Sequence, residues 1–235
     1  MKQKQNKKNI LYCFSPPIML ATFIIEIILA IYTYLKIKPS RLKNIGVATL
    51  TLLAMFQLAE YFVCSATGIN GINIISRIGY ISITLLLPLG LHMANEIGGR
   101  RKHWSIYLSY GLAIGFIAFF VIMPGSIKDS ICTGNYVIFR MLGFSNIVYG
   151  TFYFGLLLAI LITSVNLASK TKNKNKRGAL HWLIIATLSF TLPTAIIYFL
   201  APSAGSAIPS IMCGFAIIYA IILALKILPL ASKAK

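Results

Sequence analysis

Residues 207–228 read AIPSIMCGFAIIYAIILALKIL, and these 22 residues contain a single charged side chain, Lys226. An α-helix rises 1.5 Å per residue, so the stretch reaches about 33 Å as a helix. That length covers the roughly 30 Å hydrocarbon core of a bilayer. In lipid the backbone must satisfy its own hydrogen bonds, so the stretch predicts a membrane-spanning helix.

Six further stretches of the same kind precede it, and each of the seven contains 19 to 23 residues. The predicted spans are 17–35, 44–64, 74–95, 104–122, 146–168, 179–200 and 207–228. The sequence therefore predicts an all-α polytopic membrane protein, a seven-transmembrane-helix bundle. We expect a basic N-terminal tail at 1–16, one membrane domain at 17–228 and a short tail at 229–235, with no kinase, cyclase or DNA-binding module attached.

The composition argues against a soluble protein. Of 235 residues, 58% are hydrophobic and 11% are charged, whereas a soluble domain has about 25% charged residues. The net charge of +18 would suggest nucleic acid in a soluble protein. Here the basic residues fall in short loops between apolar runs, so the expected partner is the lipid bilayer and no nucleic acid is expected.

The basic loops predict the orientation, because Lys and Arg are enriched in cytoplasmic loops. Fifteen of these residues lie on one predicted side: Lys36, Lys38, Arg41, Lys43, Arg100, Arg101, Lys102, Lys170, Lys172, Lys174, Lys176, Arg177, Lys226, Lys233 and Lys235. The opposite side has only Arg77, Lys128 and Arg140 outside the N-terminal tail. This predicts a cytoplasmic C-terminus and an N-terminus outside, although four lysines of the tail oppose it. The expected location is the cell membrane, and the Lys-, Asn- and Ile-rich composition suggests a prokaryote.

With this orientation, all four cysteines fall in the outer half of the bilayer or beyond it, on the oxidising side where disulfides persist. Cys64 ends the second span and Cys132 lies in the fourth loop, so they form the preferred disulfide pair. Cys13 and Cys213 are the other two cysteines. The alternative is that each cysteine is a small buried apolar residue, since connectivity cannot be read from sequence alone.

Two carboxylates lie inside the predicted spans and are the main functional candidates. Glu26 is at the midpoint of the first span, where a charge costs roughly 2.5–3.5 kcal/mol on insertion scales. Glu60 lies about 6 Å from the outer end of the second span, by the helical rise. Both are candidates for binding and releasing protons.

Arg77 lies near the same predicted depth as Glu60, on the next helix of an antiparallel hairpin. We expect a Glu60–Arg77 ion pair, which either forms the polar base of an outward-facing ligand pocket or fixes helix packing. Gln57 shares the face of Glu60, and Tyr80 and Arg140 lie in the outer half, so these three are further candidate ligand-binding residues. Tyrosines in this half are also ordinary interface anchors.

Three histidine and carboxylate side chains near the inner boundary suggest a weaker alternative. His92 and Glu96 are four residues apart and share a helix face, and His181 starts the sixth span at a similar depth. Two histidines and a carboxylate could hold a metal, but the preferred explanation is that His92 and His181 are interfacial residues, hydrogen-bonded to backbone or lipid headgroups. No metal and no cofactor are expected in the preferred interpretation.

Several segments also resemble the seven-transmembrane N-terminal sensor region of histidine kinases. The resemblance covers about residues 15–230 and is mainly hydropathic. It is carried by 54–61 (AMFQLAEY), 76–90 (SRIGYISITLLLPLG), the basic turn 99–102 (GRRK), and 149–169 followed by a basic loop and Leu192-Pro193. It implies a sensor-like bundle. That family passes its signal to a cytoplasmic kinase or cyclase, whereas this chain ends at Lys235, so a separate cytoplasmic signalling protein is the expected output.

Three functions follow from these observations. The first is a sensor or receptor module that binds a small ligand in an outward-facing polar pocket and has no catalytic activity of its own. The second is a small transporter that uses Glu26 and Glu60. The third is an intramembrane metal-dependent hydrolase that uses His92, Glu96 and His181.

Overall fold

The computed structural model describes residues 15–65, 72–100, 103–123, 126–132, 137–141, 143–200 and 208–233. The predicted tail at 1–16, with Cys13 and its four lysines, lies almost wholly outside the described residues. Within them the elements are α1 (Pro16–Lys36), α2 (Arg41–Ser65), α3 (Ile72–Gly98), α4 (Trp104–Ile122), β1 (Ile127–Cys132), β2 (Val137–Met141), α5 (Gly143–Lys170), α6 (Lys174–Leu200), α7 (Ile208–Ile222) and α8 (Leu228–Ser232). A π-helical turn, Leu223–Ile227, joins α7 to α8.

Seven helical segments of the described chain are long and apolar enough to cross a membrane, the last running from α7 through α8. The prediction of an all-α seven-helix bundle is confirmed, and α4 has the predicted bounds. The other helices extend the predicted spans by a few residues at most ends. These extensions carry the helices past the apolar cores and into the flanking basic turns.

One feature of the fold was not predicted. The fourth loop contains an antiparallel hairpin in which Cys132 is paired with Val137 and Ile127 with Met141. The apolar residues 137–144 could be assigned on sequence only as an uncertain extension of the fifth span. In the structure Val137–Met141 form β2, and α5 starts at Gly143.

The hairpin distinguishes the two ends of the bundle. The hairpin end contains β1, β2, the end of α2 and the start of α3. The basic end contains the α1–α2, α3–α4 and α5–α6 turns and the end of α8, where most Lys and Arg residues lie.

Helices α2, α3 and α7 form the centre of the bundle. Their most apolar windows are 50–56% buried inside the protein, against 22–28% for α1, α4, α5 and α6. α3 packs against α2, α4, α5 and α6, and α7 packs against α1, α2 and α6. The outer helices expose isoleucine, leucine and phenylalanine side chains, as expected of surfaces in contact with lipid.

Two apolar clusters fill the interior, one towards each end. The cluster at the basic end consists mainly of aliphatic side chains, including Leu50, Met93 and Leu183. The cluster at the hairpin end is rich in aromatic side chains, including Phe56 and Phe120. The candidate site is built from this second cluster.

Candidate functional site: an aromatic cavity and a carboxylate pair

Side-chain contacts attach the β-hairpin to α2, α3 and α7. The hydroxyl oxygens of Ser76 on α3 and Ser130 in β1 lie 2.7 Å apart. Cys64 at the end of α2 forms a disulfide with Cys132 of β1, which confirms the predicted pair. The backbone N–H of Val137, in β2, donates a hydrogen bond to the hydroxyl of Ser210 on α7 at 3.1 Å. The hairpin therefore links α2 to α7. Cys213 is buried and is not part of a disulfide.

Below the hairpin, a cluster of aromatic rings joins α3, α4, α5 and β2. The ring of Tyr80 lies 5.2 Å from that of Phe120, 5.3 Å from Phe139 and 5.5 Å from Tyr149, measured between ring centroids. Tyr80 and Phe139 meet edge to face, a preferred geometry for aromatic pairs. The cluster forms a rigid wall at the hairpin end.

A buried hydrogen-bond chain fixes one of these rings. The Thr84 hydroxyl donates to the Tyr80 carbonyl oxygen at 2.6 Å. Its oxygen also lies 3.0 Å from the Tyr149 hydroxyl. Since the threonine proton is already used, the tyrosine is the donor of the second bond. Tyr149 is thus held by α3 although it belongs to α5.

A cavity of about 470 Å³ lies beside this wall, between α5, α6 and α7. Its size falls in the range of small-molecule sites, about 300–1,000 Å³. The residues that line it are Tyr80, Phe139, Asn146, Tyr149, Gly150, Tyr153, Phe154, Thr194, Ala195, Phe199, Ile208, Pro209 and Met212. None of these is charged, so the cavity suits an uncharged and largely apolar molecule.

A smaller space lies beside this cavity, towards the middle of the bundle. A second cavity of about 50 Å³ shares Tyr153 and Met212 with the first and reaches Thr49, Thr187 and Tyr219. Tyr153 and Met212 therefore form a partition between the two. Because methionine side chains are flexible, Met212 is a suitable element to move when the larger cavity is occupied.

The two intramembrane carboxylates, Glu26 of α1 and Glu60 of α2, lie on a different side of α7 from the aromatic cavity. The Glu26 and Glu60 side chains are 0% and 1% exposed, and they are close enough to interact electrostatically. Glu60 lies with Ser210 at a small cavity, and neither Glu60 Oε1 nor either oxygen of Glu26 has a hydrogen-bond partner in the described part of the chain. An uncompensated carboxylate inside a membrane is costly and needs a proton or a cation.

A small cavity touches Glu60. It leaves about 10 Å³ for the centre of a water-sized sphere beside Glu60, Gln57, Thr22 and Ser210, which is about the space that one water needs. Gln57 Nε2 donates to the Cys213 carbonyl oxygen at 2.9 Å. The face of α2 that carries Gln57 and Glu60 therefore faces α7. The small cavity on this face is separate from the aromatic cavity.

The predicted Glu60–Arg77 ion pair is wrong. Arg77 Nη2 donates to the Met123 carbonyl oxygen at the end of α4, at 3.3 Å. Glu60 is buried against α1 and α7 and makes no ion pair in the described residues. The two side chains share a depth in the bundle, but they lie on different faces of their helices, so Arg77 caps α4 instead.

The remaining predicted ligand-binding residues are distributed between these places. Tyr80 lines the 470 Å³ cavity, and Gln57 and Glu60 line the small one. Arg140 belongs to β2 and pairs opposite Asp129 in the ladder, but its side chain lies outside the described part of the structure. The structure places Tyr80 at one cavity and Gln57 and Glu60 at another, and a single pocket that combines all of these residues stays a prediction.

The three residues of the metal alternative do not form a site. His92 Nδ1 lies 3.3 Å from the Tyr110 hydroxyl on α4, and His181 lines a groove at the basic end between α5 and α6. In the described residues no group of three His, Cys, Asp or Glu side chains could hold a metal ion. The chemistry of an intramembrane metal hydrolase therefore has no support in this geometry.

Several cavity residues were not predicted from the sequence, notably Tyr153, Thr194, Met212 and Phe139. Each is an ordinary apolar or weakly polar residue of a membrane helix or strand, and no motif separates it from its neighbours. The available signal was the unusual density of aromatic residues in 149–154 (YGTFYF). That signal identifies a cavity wall only once the packing of α5 against α3 is known.

No protein-family model matches the chain, and a search of curated proteins finds no match either. The fold defines the class: this is a multi-pass helical membrane protein with seven candidate spans in the described residues. Within that class, its distinguishing features are the disulfide-anchored hairpin, the aromatic cavity below it and the buried carboxylate pair.

Proposed function

We propose that this protein is a receptor of the cell membrane that binds a small, uncharged and largely apolar ligand in the 470 Å³ cavity. The single observation that carries the proposal is the cavity itself: its size, its aromatic wall and the absence of charge among its lining residues. A few polar groups on an apolar wall are the usual means of orienting such a ligand. Here they are the Asn146 amide and the tyrosine hydroxyls.

The ligand enters from the lipid, between α5 and α6. Phe154 and Phe199 line the cavity and are 46% and 80% exposed. Phe154 lies 11 residues into α5, about 17 Å from its start by the helical rise. This is the depth of the hydrocarbon core, so the cavity opens laterally to the acyl chains.

Occupancy is transmitted along α7. The ligand contacts Met212, Pro209 and Ile208 near the start of that helix. The helix continues through the π-helical turn Leu223–Ile227 to the basic end, and π-turns inside α-helices are frequent at functional sites. A separate signalling protein, as the resemblance to kinase sensor regions implies, would read the change there.

The test uses an uncharged photoreactive probe, an aliphatic alcohol with a diazirine in its chain, added to the purified protein in nanodiscs. After irradiation, the labelled residues are mapped by peptide mass spectrometry. We expect preferential labelling of cavity residues such as Tyr153, Thr194 and Met212. Gly150 lines the cavity and has open space beside it, so Gly150→Leu should fill the cavity and remove this labelling.

Gly155→Leu is the matched control. Gly155 lies on the same helix, is exposed, and also has nothing within 4 Å of an added Cβ, but it does not line the cavity. It should leave the cavity labelling unchanged. Labelling that is spread evenly over lipid-facing residues in all three proteins would contradict the proposal.

A proton-coupled transporter is the second candidate, and the observation that favours it is the uncompensated pair Glu26 and Glu60. The test is uptake into proteoliposomes under a pH gradient, with the uncharged amphiphiles that the photolabelling identifies. If the protein transports, Glu26→Gln should abolish gradient-driven uptake while photolabelling persists. Equal accumulation of the amphiphiles in liposomes with and without protein would contradict the transporter and favour the receptor.

A further inference from the structure

A groove of about 610 Å³ lies between the ends of α5 and α6 at the basic end, far from the cavity under the hairpin. Its walls come from both helices. The lining residues are Val165, Ala168 and Ser169 of α5 and Lys174, Arg177, Gly178, His181 and Ile184 of α6. The groove therefore combines a basic rim with an apolar wall.

The basic rim is one face of α6. Lys174, Arg177 and His181 are spaced by three and four residues, so they project from the same side of the helix. All three side chains are exposed. None has a hydrogen-bond or ion-pair partner in the described part of the chain, so the rim is free to bind an anion.

Among the described residues, no acidic side chain lines the groove. The chain has four acidic residues: Glu26 and Glu60 are in the core, Asp129 is in the hairpin, and Glu96 near the end of α3 is the one at the basic end. Two other lysines at this end make cation–π contacts. Lys43 Nζ lies 4.2 Å from the ring centroid of Tyr34, and Lys226 Nζ lies 5.9 Å from that of Trp182. Lys174 and Arg177 make no such contact with the aromatic rings of the described residues.

The backbone N–H groups in the first turn of α6 are not the groups that would bind an anion in the groove. Asn173 Oδ1 accepts hydrogen bonds from the N–H groups of Asn175 and Lys176, at 2.9 and 3.2 Å. These amides are therefore already used. An anion at this position is held by the side chains of the rim, with the bidentate guanidinium of Arg177 best suited to a phosphate.

The lower wall of the groove indicates the rest of the occupant. Val165 and Ile184 lie below the rim, towards the middle of the bundle, and Val165 is exposed. Gly178 adds no side chain between the rim residues, which leaves room for a headgroup. An amphiphile with an anionic phosphate and long hydrocarbon chains complements both parts of the groove, whereas a soluble anion complements only the rim.

We propose that the groove between α5 and α6 is a binding site for one anionic phospholipid, with its phosphate held by Lys174, Arg177 and His181 and an acyl chain lying along Val165 and Ile184. Basic pockets between helices at a membrane surface are typical sites of anionic lipid recognition. The bound lipid would fasten α5 to α6 at the end opposite the ligand cavity. This inference does not depend on the proposed receptor function.

The test compares lipids that differ only in headgroup charge. Purified protein in a neutral detergent is titrated with dioleoyl-phosphatidylglycerol or dioleoyl-phosphatidylcholine, and retained lipids are counted by native mass spectrometry. We expect one phosphatidylglycerol to be retained in preference to phosphatidylcholine. Lys174→Gln/Arg177→Gln should weaken its binding on the order of tenfold or more, since each basic residue near a membrane surface contributes about 1 kcal/mol.

Lys36→Gln/Lys38→Gln is the matched control, because it removes the same charge at the same end but outside the groove. It should retain the selectivity for phosphatidylglycerol. Equal binding of the two lipids, or an equal loss in both double variants, would overturn the proposal. So would inorganic phosphate that displaces the bound lipid at millimolar concentration, because the groove would then recognise a soluble phosphate.

Discussion

Gly46 lies where α2 contacts the end of the last span, and the absence of a side chain lets these two segments approach closely. A Cβ placed at this position would be 2.5 Å from Leu228 Cδ1 and 3.0 Å from Cδ2, both well inside van der Waals contact. Gly90 and Gly98 on α3 meet Ile160 and Leu167 of α5 in the same way. Small residues at such contacts are the common means of close helix packing in membranes.

Gly46→Leu should therefore destabilise the protein by about 1–3 kcal/mol through overpacking against Leu228. The measurement is the free energy of unfolding in detergent, followed by tryptophan fluorescence. Gly111→Leu on α4, where nothing lies within 4 Å of the added Cβ, is the control and should not destabilise. Leu228→Ala in the Gly46→Leu background should recover part of the loss; if it does not, the contact is not the cause.

The β-hairpin is the element that depends most on contacts with residues far along the chain. Its strands are only six and five residues long, and an isolated two-stranded hairpin is marginal at best. The disulfide to α2 and the Val137–Ser210 hydrogen bond to α7 fix it over the aromatic cluster. The hairpin therefore forms the wall of the cavity through Phe139.

Removal of the disulfide should loosen this wall. The bond links residues 68 positions apart, so by the loop-entropy relation its loss costs up to about 4 kcal/mol of stability. Cys64→Ser/Cys132→Ser should lower the melting temperature and make it insensitive to reductant, whereas Cys213→Ala should keep the wild-type response to reductant. A wild-type melting temperature that is unchanged by reductant would contradict the stated role of the hairpin.

The elements also show what could be predicted from the sequence. The seven spans follow from local hydropathy, because each apolar run determines its own helix in lipid. The hairpin does not, because the residues that hold it come from α2, α3 and α7, far along the chain. Arg77 shows the same limit at the site: its depth followed from its position in α3, but its partner, the Met123 carbonyl, depends on the rotation of α3 against α4. Tyr153 and Met212 form a cavity only through the packing of three helices.

At the scale of the whole molecule, the two ends differ in chemistry. The basic end holds most of the Lys and Arg residues and the hairpin end holds the disulfide. Basic residues favour the cytoplasm, and disulfides persist in oxidising compartments. Both observations favour the predicted orientation, which stays a prediction and would place the hairpin and the 470 Å³ cavity in the outer half of the membrane.

The orientation can be measured with single cysteines at exposed positions of either end. Met123→Cys lies at the hairpin end and Lys172→Cys at the basic end. A membrane-impermeant maleimide applied to intact cells should label Met123→Cys, and it should label Lys172→Cys only after permeabilisation. The unsubstituted protein is the background control. The reverse pattern would place the basic end, with the α5–α6 groove, outside and would contradict the predicted orientation.

The central claim is that the cavity between α5, α6 and α7 binds an uncharged apolar molecule. The most direct test is to extract the small molecules that co-purify with the protein from its own membrane and to identify and quantify them by mass spectrometry. We expect one uncharged lipophilic species, at about one molecule per protein, from the wild type and from Gly155→Leu, and we expect its loss from Gly150→Leu. The same set of molecules in equal amounts from all three proteins would contradict it.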